Sequence, residues 1–500
     1  MADDGKMPYA EEDSRSTGIA GLDDVLGGGL TKNRLFLLEG SPGSGKTTLS
    51  LQFLRDGVAR GETVLYIALS ESLDELQASA ASHGWTLDGI TLFELPLREN
   101  LETENRYTMF HPAEVELADT TKSVLAEVDR VRPSRLVFDS LSELRLLSEN
   151  PLRYRRQILG LKQRFTKSAM TVILVDDRVG EERDTDLHSL AHGVITLERR
   201  ESDYGSLRRR MSVSKLRGRA FREGFHDFAI RRGGLEVFPR LVASEHRTEF
   251  IAESVSSGIA EFDALLGGGL SRGTSTLLLG PSGTGKSSLA TQFAAHTARS
   301  GKRVAMYLFE ESLATFSQRA SGLGADLAPL VASGRLALRQ IDPSELAPGE
   351  FASLVREEVE QRGAAMIVID SLTGYLNAMP SEHYLKLHLH ELLTYLGQHG
   401  VSTILTLTQH GIVTGAEQSP IDASYLSDTV ILLRYFEAFG EVRQAVSVIK
   451  KRTGIHERTI RELRFDHGVH VGDPAREFQG VLMGTPQLST SAAGNETARA

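Results

Sequence analysis

The phosphate-loop pattern G-x-x-x-x-G-K-[ST] occurs twice in this chain. It reads Gly40-Ser41-Pro42-Gly43-Ser44-Gly45-Lys46-Thr47 and again Gly280-Pro281-Ser282-Gly283-Thr284-Gly285-Lys286-Ser287, with matching positions 240 residues apart. A fold that uses this pattern must wrap its backbone around an anion, with main-chain N–H groups pointing inward and a helix N-terminus behind them. The context agrees in both copies, because apolar runs at 35–38 and 276–279 lead into the loops and amphipathic helical segments leave them. The expected ATP-binding positions are Gly40, Ser41, Gly43, Ser44, Gly45, Lys46, Thr47 and Thr48, with Gly280, Ser282, Gly283, Thr284, Gly285, Lys286, Ser287 and Ser288 in the second copy. Lys46 and Lys286 reach the β and γ phosphates, and the hydroxyls of Thr47 and Ser287 help to hold Mg²⁺.

The duplication extends past the loops. Residues 16–30, STGIAGLDDVLGGGL, recur at 256–270 as SSGIAEFDALLGGGL. The chain is therefore a tandem of two homologous α/β domains. Strand-like runs at 63–69, 136–138, 171–175 and 193–197 have counterparts at 303–309, 366–369, 401–407 and 429–435. Their alternation with helical segments implies two RecA-like P-loop domains, each a mainly parallel sheet covered by helices. Runs at 208–215 and 443–450 read as antiparallel additions. The resulting division is a flexible acidic N-terminus at 1–14, a first domain at 15–240, a linker at 241–254, a second domain at 255–486 and a disordered tail at 487–500.

Composition narrows the class. Five hundred residues exceed what one hydrophobic core supports, and the chain carries neither a membrane-length apolar stretch nor a signal-peptide pattern at its start. The absence of cysteine excludes a disulfide framework, a thiolate metal site and a cysteine nucleophile. A cytoplasmic protein without a membrane association is expected. A net charge of −10 with interspersed signs argues against a nucleic-acid partner.

A phosphate loop needs a second carboxylate for Mg²⁺, commonly at the end of a buried strand. Asp139, in RLVFDS, and Asp370, in MIVIDS, are the candidates. Hydrolysis also needs a group that orients and deprotonates water near the γ-phosphate. Glu310 and Glu311 follow a strand in the second domain, where the first has Ser70 and Glu71. Serine does not take a proton from water at neutral pH. The first domain is therefore expected to bind ATP and turn it over slowly, with Glu71 as its substitute carboxylate. Asp176-Asp177 and Thr408-Gln409 end corresponding strands, and an acidic pair there would repel a γ-phosphate.

The tandem loops, the Gly-Gly-Gly-Leu entries, Glu310-Glu311-Ser312 and the late Lys-x-Arg motifs together resemble the KaiC family over residues 15–485. That resemblance implies a homo-oligomeric ring, in the family a double-ringed hexamer, with ATP at subunit interfaces and a regulatory protein partner. It also implies that Lys215 and Arg217, with Lys450 and Arg452, reach ATP held by a neighbouring subunit. In the family's clock member a Ser-Thr pair in the second domain is autophosphorylated, and Ser424-Tyr425 stands at the corresponding place here. Ser424 is therefore the candidate phosphosite, and Tyr425 departs from the pattern. The leading expectation is a Mg²⁺-dependent ATPase with Ser/Thr autokinase capacity. The alternatives are a DNA-dependent ATPase of the RecA type and a nucleotide-gated scaffold without turnover.

Overall fold

The computed structural model describes residues 13–95, 112–148, 150–177, 185–201, 205–377, 385–409, 425–483 and 486–488. The chain divides into two compact units, residues 1–240 and 241–500.

Each unit is built on a nine-stranded sheet. In the first, the parallel strands run in the order Gly193–Arg200, Leu35–Gly40, Thr171–Asp177, Arg135–Asp139, Val64–Ala68 and Thr91–Glu94. Arg208–Leu216, Phe225–Arg231 and Gly234–Phe238 extend it antiparallel beyond Gly193–Arg200. The second repeats the plan. Its parallel part runs Leu336–Gln340, Arg303–Leu308, Ala364–Asp370, Ser402–Thr408, Ser275–Gly280 and Thr429–Ala438, and Glu441–Lys451, Arg461–Arg464 and His470–Pro474 add antiparallel strands. The two P-loop domains are thus α/β with mainly parallel sheets; the first antiparallel addition of each falls where the sequence placed it, and the other two in each were not foreseen.

Burial explains why the strands read as unbroken apolar runs. Every residue of Leu35–Gly40 is buried, since helices cover both faces of the sheet. Separate apolar clusters lie on the two faces in each unit, one around Leu38, Phe53 and Ile173 and one around Leu37, Phe138 and Ile158 in the first. In the second, the helix Lys286–Arg299 presses Ala290, Ala294, Ala295 and Ala298, all fully buried, against the sheet. Small side chains there let the helix approach closely and set the phosphate loop at the C-terminal edge of the central strands, where α/β sheets bind ligands.

Two expectations change. The segment after the first domain is not a bare linker, because Leu241 and Ala243 belong to the second unit's core and Phe250 packs against Arg272. The reading of 487 onward as tail is also too early, since Gln487–Leu488 pair with Phe478–Gln479.

Candidate functional site

In the second unit, the loop after Ser275–Gly280 passes through Gly285 at φ +94°, and the helix begins at Lys286. A Cβ on Gly285 would fall 1.9 Å from the Phe465 ring, so glycine is needed for space as well as for φ. Lys286 is buried, and its Nζ donates to the carbonyls of Gly280 at 2.9 Å and Pro281 at 2.7 Å. Burial lowers its pKa to about 8. The loop thus holds a desolvated ammonium that an entering polyphosphate would compensate.

Beside it, Ser287 Oγ donates to Asp370 Oδ1 at 3.0 Å and Thr406 Oγ1 donates to the same oxygen at 2.5 Å. Asp370 is pushed above the usual carboxylate range, chiefly by burial. A hydroxyl and a carboxylate next to the phosphate-loop lysine are hard oxygen donors of the kind Mg²⁺ takes alongside phosphate and water, so the donor set fits that ion.

The two adjacent glutamates separate. Glu310 Oε1 accepts from Ser371 Oγ at 2.7 Å, and Ser371 Oγ in turn accepts from the Gly374 N–H at 3.1 Å. Ser371 directly follows Asp370, so Glu310 is tied to the Asp370 corner. A Cβ on Gly374 would come within 2.9 Å of Glu310 Cγ, which makes that glycine part of the carboxylate's seat. Glu311 turns to Arg319 instead, in a two-pronged pair at 2.8 and 3.2 Å. Arg319 also approaches Ser288 Oγ at 3.5 Å. Of the pair, Glu310 is hydrogen-bonded at the Asp370 corner, and Glu311 is ion-paired with Arg319.

The first unit departs from this arrangement at four points. Lys46 Nζ donates to Gly40 O at 2.9 Å and Ser41 O at 3.1 Å, as its counterpart does, but it also pairs with Asp177 Oδ1 at 2.8 Å. Asp139 accepts from the Tyr66 hydroxyl at 2.5 Å, whereas Met306 occupies the position of Tyr66 in the second unit. Ser70 stands where Glu310 does. Glu71, the counterpart of Glu311, has Ser79 in place of Arg319 and swings to within 3.4 Å of Thr47 Oγ1. Burial, and then the charge of Asp139, raise the pKa of Glu71. Burial likewise raises that of Asp139. Glu71 therefore faces a candidate metal ligand rather than the place Glu310 takes. The remaining loop residues behave as lining: Ser44 and Thr284 are fully buried, and Thr48 Oγ1 lies 3.3 Å from His83 Nε2.

The strand-end comparison shifts by one residue. Gly40 pairs with Asp177 and Gly280 with Thr408, so Asp176-Asp177 correspond to Leu407-Thr408. Asp176 is held apart by Arg145 at 2.7 Å, which leaves Asp177 as the carboxylate at the phosphate loop.

Lys215 is registered opposite Val194, and Val194 opposite Leu37; Lys450 is likewise opposite Val430, and Val430 opposite Leu277. Each lysine sits level with a residue three positions before its own loop's first glycine, about 10 Å back along the strand. Lys215 donates to the His188 carbonyl, and Arg217 to Ser189 O at 3.0 Å. Lys450 donates to Ser427 O at 2.7 Å, and Arg452 pairs with Asp428 at 3.3 Å. None of the four is brought to the phosphate loop of its own domain. Ser424 lies outside the described residues; Tyr425 beside it is exposed.

Sequence reasoning missed Arg319, Ser371, Gly374, Tyr66 and Thr406. Lining up the two repeats would have flagged Tyr66 against Met306 and Arg319 against Ser79; the seat formed by Gly374 leaves no sequence signal. No helix among the described residues is long and apolar enough to cross a membrane.

The family model described as the KaiC ATPase matches residues 15–242 and again 255–474. Similar curated proteins include the circadian clock protein KaiC3 of Synechocystis, 26% identical over 489 residues that cover 95% of this chain and 94% of the relative. The circadian clock oscillator protein KaiC of Thermosynechococcus vestitus is 27% identical over 493 residues, covering 95% and 92%. That of Synechococcus elongatus is 26% identical over 499 residues, covering 97% and 93%.

Proposed function

Because the chain belongs to the KaiC family of ATPases, we propose that it is a Mg²⁺-dependent ATP hydrolase whose turnover is carried by the second domain, while the first binds nucleotide and turns over slowly. The observation that carries this reading is the seating of Glu310 by Ser371 and Gly374 at the Asp370 corner, a seat that Ser70 cannot provide in the first domain.

Lys286 and the loop N–H groups bind and orient the triphosphate. Mg²⁺, held by Ser287 and Asp370, would supply charge neutralisation at the phosphate oxygens. Glu310 accepts the proton of a water aligned with the γ-phosphorus; the P–O bond to the β-phosphate oxygen breaks as the new one forms, and ADP and phosphate leave. Lys450 and Arg452 serve the γ-phosphate bound by a neighbouring subunit, where positive charge offsets what builds on the phosphoryl group. Their distance from their own loop supports action in trans, and with it a homo-oligomeric ring; a hexamer working in the cytoplasm in regulation through a protein partner is part of this reading by likeness to the family alone.

Incubation of full-length protein with Mg²⁺ and γ-labelled ATP, following free phosphate and protein-bound label together, tests this reading. Free phosphate that is lost in Lys286→Ala and kept in Lys46→Ala supports it, and label that maps to Ser424 adds the autokinase step. Neither product, with nucleotide still bound, favours the scaffold alternative. Turnover that appears only on addition of DNA favours the RecA-type alternative.

A further inference from the structure

The ion pair between Lys46 and Asp177 bears on which nucleotide the first domain holds. The ammonium of a phosphate-loop lysine is the charge that receives the β and γ phosphates. In the first domain that ammonium is met at 2.8 Å by a carboxylate at the C-terminal end of the strand beside the loop. In the second domain the register-equivalent residue is the neutral Thr408, and among the described residues no carboxylate comes within ion-pair distance of Lys286. Asp177 also donates through its backbone N–H to Ser142 Oγ at 3.3 Å, which anchors this strand end to the neighbouring helix.

We infer that Asp177 makes the first domain selective for a nucleoside diphosphate over a triphosphate by holding a fixed negative charge where the terminal phosphate would sit. A diphosphate places its β-phosphate in the loop and leaves the lysine's outer side to Asp177. A triphosphate brings its γ-oxygens onto that same side. It must displace the carboxylate from Lys46 and tolerate it as a close like-charged neighbour, a juxtaposition that interfaces use to reject wrong partners. The missing carboxylate at Ser70 and the charge at Asp177 then act together: one removes the group that would drive hydrolysis, and the other disfavours the substrate. The inference rests on the proposed reading that both loops bind nucleotide.

The test is equilibrium binding of fluorescent ADP and of a fluorescent non-hydrolysable ATP analogue, with Mg²⁺, to the full-length Lys286→Ala protein, with and without Asp177→Asn. With Asp177 present, ADP is expected to bind tighter than the analogue. Asp177→Asn is expected to shift the analogue-to-ADP affinity ratio by about tenfold or more toward the triphosphate. Equal affinities with Asp177 present, or a ratio unmoved by Asp177→Asn, overturn the inference while leaving nucleotide binding by the first domain intact. If Lys286→Ala binds neither nucleotide and still melts cooperatively, both the inference and the reading beneath it fail. Asp177→Thr, which installs the second domain's residue, repeats the test should the asparagine variant fold poorly.

Discussion

Glu310 and Glu311 are adjacent and chemically identical, and their surroundings give them different work. One is tied to Ser371 above Gly374, and the other is clamped by Arg319. Gly374→Ala should therefore slow turnover by about tenfold to a hundredfold although alanine is the better helix former, because its Cβ would push Glu310 aside, and small misplacements of a reacting group are costly. A steady-state assay with ATP binding measured in parallel checks this; unchanged turnover would show that the seat does not position the carboxylate. A second residue-scale prediction concerns His226, which is fully buried in the first unit. It accepts from the Arg240 N–H through Nδ1 at 2.9 Å and lies 2.9 Å from Arg222 O through Nε2. Burial lowers its pKa from 6.5 to about 4. A depressed histidine pKa means that the unfolded chain binds the extra proton first, so its stability contribution is complete above about pH 6.5 and is lost as pH falls toward 4. Urea unfolding of the first unit should show that loss, worth about 3 kcal/mol at most. A His226→Asn variant should be less stable at pH 7 and flatter between pH 6.5 and 4; an equally steep profile would assign the loss elsewhere.

At the level of elements, the phosphate loop and the finger residues occupy opposite ends of the same part of the sheet. Lys450 lies three residues behind Gly280 in register, and on the proposed reading its charge serves a neighbouring subunit's nucleotide. Lys286→Ala and Lys450→Ala/Arg452→Ala proteins should each be inactive alone and recover part of their activity when mixed and reassembled, since mixed interfaces pair an intact loop with intact fingers. No recovery on mixing would place the fingers' action within the subunit or make them structural. The elements themselves were largely legible. Parallel strands buried on both faces announce themselves as apolar runs, and the glycine pattern marks the strand-to-helix turns. Strand ends were less so: the run into Asp176-Asp177 looked aligned with Thr408-Gln409, and only the pairing of Gly40 with Asp177 shows that the register is one residue different. Partners such as Arg319 for Glu311, or Tyr66 for Asp139, depend on how helices and strands pack. Sequence separation does not encode such contacts, so they were missed although the residues they serve were found.

Across the whole molecule, two copies of one domain keep the glycines and the lysine of the phosphate loop and differ at several positions around it. Ser70, Tyr66, Ser79 and Asp177 in the first unit correspond to Glu310, Met306, Arg319 and Thr408 in the repeat of the second. On the proposed reading hydrolysis falls to the second domain and nucleotide holding to the first. Lys46→Ala should accordingly keep most of the turnover of the full chain while its nucleotide stoichiometry falls from about two per chain toward one, as read by equilibrium binding of a fluorescent nucleotide; a stoichiometry indifferent to Lys46 would remove that role. In that division Glu310 is the group that drives hydrolysis. That role is tested most directly by single-turnover phosphate release from full-length Glu310→Gln beside Glu311→Gln, with bound ATP quantified in both. Glu310→Gln is expected to bind ATP and to release phosphate about a hundredfold to ten-thousandfold more slowly, while Glu311→Gln retains far more activity. Normal phosphate release by Glu310→Gln would contradict it.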